Sequence, residues 1–264
     1  MPPTDDPESR TLNRVRRVFR RADRAVALTG AGVSAASGVP TFRGEDGLWR
    51  NYRPEELATP RAFSDDPVTV WQWYGWRRRK VAACEPNPAH VALARWTLGD
   101  EGARLVTQNV DGLHGAAARE AAGESPVPDH AVPLELHGSL FRTLCTGCGR
   151  RRESREEIDP AGVDELPRCG DCGELLRPDV VWFGESLPGE ALDAAMEAAR
   201  RADACLVAGT SAAVQPAASV ASVAADAGAV LVEVNPERTP LTDRADHAFR
   251  AGAEDVLPAL LPGG

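Results

Sequence analysis

The sequence predicts an α/β architecture with a doubly wound parallel sheet, on three observations. Short apolar runs at Ala25–Leu28, Ala103–Thr107, Ala204–Ala208 and Ala229–Val234 alternate with helical stretches. Runs that are apolar on both faces are what the strands of a buried parallel sheet require. The first run leads straight into Gly30-Ala31-Gly32-Val33-Ser34-Ala35. In a strand followed by G-x-G-x-x-A, glycines let the backbone turn tightly and approach a pyrophosphate, whose charge sits against the turn amides. The third observation is that Gln108–His114, Gly209-Thr210-Ser211 and Asn235-Pro236-Glu237 each follow directly on one of these runs. That is the carboxyl end, where open parallel sheets bind ligands. The fold expected is Rossmann-like, with a dinucleotide as guest. The glycines alone also fit an ordinary strand-to-helix turn, and no Rossmann acid stands clearly some twenty residues downstream. Gly38–Gly44 is turn chemistry there, suited to a long loop over a nucleotide.

The elements follow in order. Leu12, Val15, Val18 and Phe19 recur at helical spacing with arginines opposite, and Ser9 or Thr11 is the expected cap. Asp66 as cap and Pro67 in the first turn start a helix running to about Ala82. Pro88–Leu98 reads as a helix, and Leu134-Glu135-Leu136 as a short strand delivering His137-Gly138. Beyond Arg177 the doubly wound pattern is expected to resume with Val180–Glu185 and a helix near Gly189–Arg201. A small-residue helix Ala212–Ala227, a strand near His247–Arg250 and a terminal helix from about Glu254 complete the chain. The organisation expected is one discontinuous domain: a core at 1–43, 90–143 and 178–264, a helical and cofactor-loop insertion at 44–89, and a cysteine module at 144–177.

With 264 residues and 43% hydrophobic content the chain can bury a full core. Thirty basic against 39 acidic residues give a net charge of −9, which speaks against a nonspecific nucleic-acid or anionic-membrane surface. The first residues have no apolar signal core and no run reaches membrane-spanning length, so a cytoplasmic location is expected. In that compartment the six cysteines read as thiols or metal ligands rather than disulfides.

Cys145-Thr146-Gly147-Cys148 and Cys169-Gly170-Asp171-Cys172 form C-x2-C, twenty residues, C-x2-C. Four thiolates at that spacing close a tetrahedron around one structural zinc and leave no position for water. Two redox pairs or unpaired thiols are the alternative, weakened because neither pair opens a helix. Cys84 and Cys205 read as bystanders. His137, at a strand end, is a candidate base, and a hydrogen-bonded structural histidine is equally open on the residues alone. Asn109 and Asp111 favour the base only if the three converge.

GAGVSAASGVPTFRG, QNVDGLH, ELHGS, the paired cysteine knuckles, VVWFGE, GTS and NPE stand here in an order that resembles the sirtuin family of NAD-dependent protein-lysine deacylases, from about Ala25 to Leu260. The resemblance implies that Gly30, Ala31, Gly32, Val33 and Ser34 hold the pyrophosphate. Phe42, Arg43 and Trp49 would belong to the cofactor loop. Gln108, Asn109, Val110 and Asp111 would surround the nicotinamide and its ribose, while Gly209, Thr210, Ser211, Asn235, Pro236, Glu237 and Ala253 would bind the adenosine half. His137 would be general base, with Asn109 and Asp111 catalytic beside it. Val181, Phe183 and Gly184 would form a cleft to which an extended acyl-lysine peptide adds by main-chain pairing. The implied co-substrate is NAD, the partners acylated lysines of proteins, and the chain a monomer.

One further pattern bears on the acyl group. Tyr74 and Arg77 stand three apart on the expected helix, so a hydroxyl and a guanidinium can grip one carboxylate, although a solvated basic helix fits Arg77-Arg78-Arg79-Lys80 as well. Tyr-x-x-Arg, with Ala58 as a small pocket residue, is similar to the sirtuin branch that removes succinyl, malonyl and glutaryl groups. The activity expected is desuccinylation and demalonylation with weaker deacetylation. A deacetylase in which Tyr74 and Arg77 are not the selector stays open, as do an NAD or ADP-ribose sensor and a mono-ADP-ribosyltransferase.

Overall fold

The computed structural model describes residues 7–41 and 53–263. Its centre is β1 (Ala25–Thr29), which pairs in parallel with β2 (Ala103–Thr107) on one side and β7 (Ala204–Ala208) on the other. With β3 (Leu134–Glu135), β8 (Val230–Val234) and β9 (His247–Phe249) the sheet runs β3-β2-β1-β7-β8-β9, every pair parallel. The chain leaves β1 for β2 on one flank and later returns to β7 on the other. The switch point of this Rossmann-like sheet therefore lies between β1 and β7, where a crevice opens at the strands' carboxyl ends.

Period-two alternation explains why β1 is apolar throughout. Ala25 and Ala27 pack with Val15 and Phe19 of α1 (Pro7–Arg21), Leu93 and Trp96 of α5 (Pro88–Gly99), and Leu257 and Leu260 of α9 (Ala253–Leu260). Val26 and Leu28 face the opposite layer, with Ala195 and Ala199 of α7 (Gly189–Arg200) and Val220 and Ala224 of α8 (Ser219–Asp226). Among the described residues no helix is long and apolar enough to cross a membrane.

Three expectations need correction. Helix α1 begins at Pro7, whose fixed φ suits a first turn, so Ser9 and Thr11 lie inside the helix and not at the position before it. Helix α8 begins only at Ser219 and not at Ala212; Pro216 supplies no amide and biases Gln215 away from helical backbone, leaving 212–218 irregular beside the sheet's open end. The run Val180–Glu185, expected to resume the parallel sheet, does not: β6 (Leu176–Val180) ends where that run begins and lies antiparallel to β4 (Gly138–Cys145) in a second sheet of order β5-β4-β6, with β5 at Arg151–Glu153. The cause is the cysteine module: its two knuckles meet, so the chain leaving the second must run back along the chain entering the first, Cys145 opposite Leu176.

Among the described residues, α2 (Pro54–Leu57), α3 (Pro60–Asp65) and α4 (Pro67–Ala82) lie between β1 and α5. Asp66 caps α4 as expected, its carboxylate accepting from the Thr69 amide at 3.0 Å. Gly75 lies mid-helix because a Cβ there would come 2.2 Å from the Ile158 carbonyl oxygen; the missing side chain lets α4 seat against the small lobe. Trp71 Nε1 donates to Leu176 O at 2.9 Å and Gln72 Nε2 to Pro160 O at 2.9 Å across that junction.

Candidate active site

The glycine turn sits at the switch point because two backbones touch there. Gly30 ends β1 in extended conformation and a 3-10 turn, Ala31–Ser37, follows. Gly32 N donates to Gly209 O at 2.8 Å, and a Cβ on Gly32 would fall 2.8 Å from Gly209 Cα. Gly209, at φ +59, would carry its own Cβ 2.3 Å from Val33 N. No side chain fits between the turns after β1 and β7. Gln108 joins them from β2: its amide N donates to Thr29 O at 3.0 Å and its Nε2 to Thr210 Oγ1 at 2.9 Å.

Ser34, fully buried, is the hub beneath this floor. His90 Nδ1 accepts the Asn87 amide at 3.2 Å, so in the neutral ring Nε2 carries the proton and donates to Ser34 Oγ at 3.2 Å. Asn109 Nδ2 donates to the same oxygen at 3.1 Å, and Ser34 gives its own proton to Asp111 Oδ2 at 2.7 Å. Both lone pairs and the proton of Ser34 are thereby used. Asp111 Oδ1 accepts the Leu113 amide at 2.9 Å, opening α6 (Leu113–Ala122). Burial pulls the His90 pKa down to about 3, and that of His114, whose tilted ring lies 4.7 Å from it, down to about 4. Both rings stay neutral. Sequence reasoning missed His90; Asn-Pro-Ala-His, a cap residue followed at its third position by a group able to return the hydrogen bond, was the available signal.

His137 stands where the chain crosses from the large sheet (β3) to the small one (β4). Its Nδ1 lies 3.0 Å from Gln108 O, a carbonyl that can only accept, so Nδ1 carries the proton and Nε2 keeps a bare lone pair. Burial lowers its pKa, with the Gln108 carbonyl opposing. A neutral imidazole with Nε2 available can take a proton at neutral pH. Gly32, Asn109 and His137, far apart in sequence, are thus bound to one another through Gly209, Ser34 and Gln108.

The segment bearing Val181, Phe183 and Gly184, which follows β6, joins the same assembly. Val181 N donates to His137 O and Phe183 N to Ala58 O, each at 2.9 Å, while Trp182 N donates to Glu185 Oε2 at 2.8 Å. The amides of Val181, Trp182 and Phe183 are thereby all taken within the protein. Phe183 is half exposed, and Gly184 turns at φ +89.

Helix α4 divides its basic run. Arg79 and Lys80 are exposed, whereas Arg77 and Arg78 are buried at 6% and 5% exposure, so the solvated-face reading fails for the two that matter. Arg78 Nη2 is spent on Ser154. The Arg77 guanidinium lies 4.9 Å from the Trp73 ring and 5.7 Å from that of Tyr74. Burial lowers its pKa, with Tyr74 and Asp111 opposing. Tyr74 is buried in an apolar cluster with Ala58, Phe63 and Trp182, which raises its pKa.

Among the residues expected to bind the adenosine half, Gly209 N donates to Val234 O at 3.0 Å and Asn235 Nδ2 to Glu237 O at 2.9 Å; Pro236 and Glu237 are exposed, as is Ser211, and Ala253 is buried at the start of α9. Arg250 grips that turn, donating to Asn235 O and Glu237 O at 3.1 and 3.0 Å and to the buried Glu233 carboxylate at 2.6 Å. Glu233 and Arg250 were not foreseen; an acid inside an apolar strand was the signal. Phe42, Arg43 and Trp49 lie outside the described residues.

The sulfurs of Cys145, Cys148, Cys169 and Cys172 lie within 4.8 Å of one another, with Cys145–Cys172 at 3.4 Å and Cys148–Cys169 at 3.8 Å. A tetrahedral zinc with sulfur ligands sets sulfurs about 3.8 Å apart, so the cluster fits that ion. Amides assist: that of Cys148, and then that of Gly147, help draw the Cys145 thiol down to about 6.

The sequence pattern of the Sir2 family matches residues 30–216. The chain is 47% identical over 253 residues to the NAD-dependent protein deacylase of Pyrococcus furiosus, across 95% of this chain and 96% of that protein. Among solved structures it is similar to a Sir2 homolog–NAD complex, with TM-score 0.80 and 47% identity over 97% of this chain and 93% of that one. It is also similar to a Sir2–p53 peptide–NAD+ complex, with TM-score 0.75 and 30% identity over 91% and 93% of the two chains.

Proposed function

The chain belongs to the Sir2 family, and on that premise we propose that it removes succinyl and malonyl groups from protein lysines, and acetyl groups more weakly, yielding nicotinamide and O-acyl-ADP-ribose. It is an NAD-dependent protein deacylase; NAD is the co-substrate, and the four-cysteine cluster suits a structural zinc. The observation that carries the reading is the His137 hydrogen bond to Gln108 O at 3.0 Å. It commits one ring nitrogen to the cofactor-side segment and leaves the other as base.

NAD supplies an electrophilic ribose carbon, C1′, from which nicotinamide departs as the amide oxygen of the acyl-lysine attacks. The protein's share is positional and electrostatic. The turns at Gly30 to Ser34 and Gly209 to Ser211 meet so closely that no Cβ fits between Gly32 and Gly209, which suits the close backbone approach of a pyrophosphate. Asn109 orients a ribose while Ser34 and Asp111 hold the loop beneath it. His137 Nε2 accepts a proton from a ribose hydroxyl, and the His137 carbonyl holds the Val181 amide, so the base is tied to the segment that would bind the peptide. Zinc holds the cysteine module together and takes no step.

The acidic-acyl preference rests on Tyr74, a hydroxyl buried in an apolar cluster with Ala58, and on Arg77, a buried guanidinium 5.7 Å from its ring. A carboxylate entering there would offset the desolvation of Arg77, whereas an acetyl group carries no charge to do so. The test is mass spectrometry of the protein with NAD and matched succinyl- and acetyl-lysine peptides. The expected product is O-succinyl-ADP-ribose in excess of O-acetyl-ADP-ribose, and His137→Ala should slow its formation by about 10²- to 10⁴-fold. ADP-ribose attached to protein, or full activity in His137→Ala, would refute the reading.

A further inference from the structure

Val181 and Phe183 lie in the segment proposed to bind the peptide, and Trp182 between them is packed into the cluster around Tyr74, where it is 2% exposed. Its indole N–H donates to the Tyr74 hydroxyl at 2.8 Å, both groups buried. A phenol has one proton and two lone pairs. The indole fills one lone pair, and among the described residues nothing accepts the proton. A buried donor in that state is costly until an acceptor arrives. A phenol proton also prefers the ring plane, which allows two directions, and a donor on one side excludes the direction that points at it.

The indole is itself fixed. The Arg177 guanidinium stacks 3.4 Å from its ring centroid and donates to Val180 O at 2.9 Å. Glu185 grips Arg177 through both oxygens, at 2.5 and 2.8 Å, and accepts the Trp182 amide at 2.8 Å. A cation on the ring face makes the N–H a stronger donor, and a hydroxyl that accepts a hydrogen bond gives its own proton more strongly. The Arg77 guanidinium lies over the Tyr74 ring, 5.7 Å from its centroid.

We infer that Trp182 is a specificity-determining positioning residue: it aims the Tyr74 proton at the terminal carboxylate of a succinyl or malonyl group, with the Arg177–Glu185 pair holding the indole in place. This rests on the acidic-acyl reading above. An acetyl group ends before that carboxylate, so the aimed proton serves long acidic groups and not short neutral ones.

Steady-state kinetics on matched succinyl and acetyl peptides test this with Trp182→Phe, Tyr74→Phe and the double variant. Phenylalanine keeps an aromatic ring beside Phe63, 5.4 Å away, and under Arg177, and removes only the N–H. Trp182→Phe should raise KM for the succinyl peptide about tenfold, the effect of one hydrogen bond to a charged group, while kcat and the acetyl KM move far less. Tyr74→Phe should lose at least as much, and the double variant no more than Tyr74→Phe alone, because Trp182 acts through that hydroxyl. A Trp182→Phe enzyme with an undiminished succinyl-to-acetyl ratio, or losses that multiply in the double variant, would overturn the inference. If Trp182→Phe does not fold, Tyr74→Phe decides: an unaltered ratio there overturns it as well. An unsubstituted enzyme without succinyl preference refutes the acidic-acyl reading and this inference together, whereas a preference that survives Trp182→Phe refutes this inference alone.

Discussion

Two buried polar clusters flank the candidate catalytic histidine, one around Ser34 and one around Tyr74, and they differ in how fully their groups are partnered. Ser34 accepts from His90 and Asn109 and donates to Asp111, which exhausts its capacity. Tyr74 accepts from Trp182 and keeps its proton for something else. The difference separates two jobs. A saturated network holds backbone in place before a ligand arrives; an unsaturated one beside a dehydrated cation is completed by the ligand.

That contrast can be broken from the saturated side first. Ser34→Ala strands the His90 and Asn109 donors and takes one of the two described hydrogen bonds from the buried Asp111 carboxylate, so urea unfolding should show a loss of about 3 kcal/mol. An unaltered midpoint would mean that the network holds nothing. Gly32→Ala should act on the cofactor more than on stability, since its Cβ would press on the Gly209 backbone. Calorimetry should find NAD binding weakened about a hundredfold, the cost of displacing the turn by roughly 1 Å. Acid provides a milder probe. His90 and His114 remain neutral in the fold down to about 3 and about 4, while the unfolded chain protonates them near 6.5. Between those values the unfolded state binds more protons, so their contribution is complete above pH 6.5 and declines as pH falls toward 4. Thermal midpoints should be level from pH 8 to about 6.5 and drop below it; a level profile down to pH 5 would show that the two rings are not held neutral.

Much of this was readable from the chain, for identifiable reasons. Asp66-Pro67 gave the start of α4 to the residue because cap and first-turn chemistry are local. The cysteine spacing gave the metal site because a tetrahedron sets loop lengths. What was not legible depended on contacts between distant segments. An apolar run such as Val180–Trp182 does not announce which sheet it joins; that was set by the pairing of Cys145 with Leu176. His90 and Trp182 act only through Ser34 and Tyr74, which no local pattern connects to them. The same holds for Glu233 and Arg250, seventeen residues apart.

The measurement that bears most directly on the contrast is the ratio of kcat/KM for succinyl over acetyl peptide, in the unsubstituted enzyme and in Arg77→Met. If the Tyr74 and Arg77 pocket is completed by the ligand's carboxylate, the ratio should exceed one and fall by about tenfold or more in the variant, with acetyl turnover much less affected. Equal loss of both activities in Arg77→Met would contradict it, leaving Arg77 a packing residue and the pocket no reader of charge.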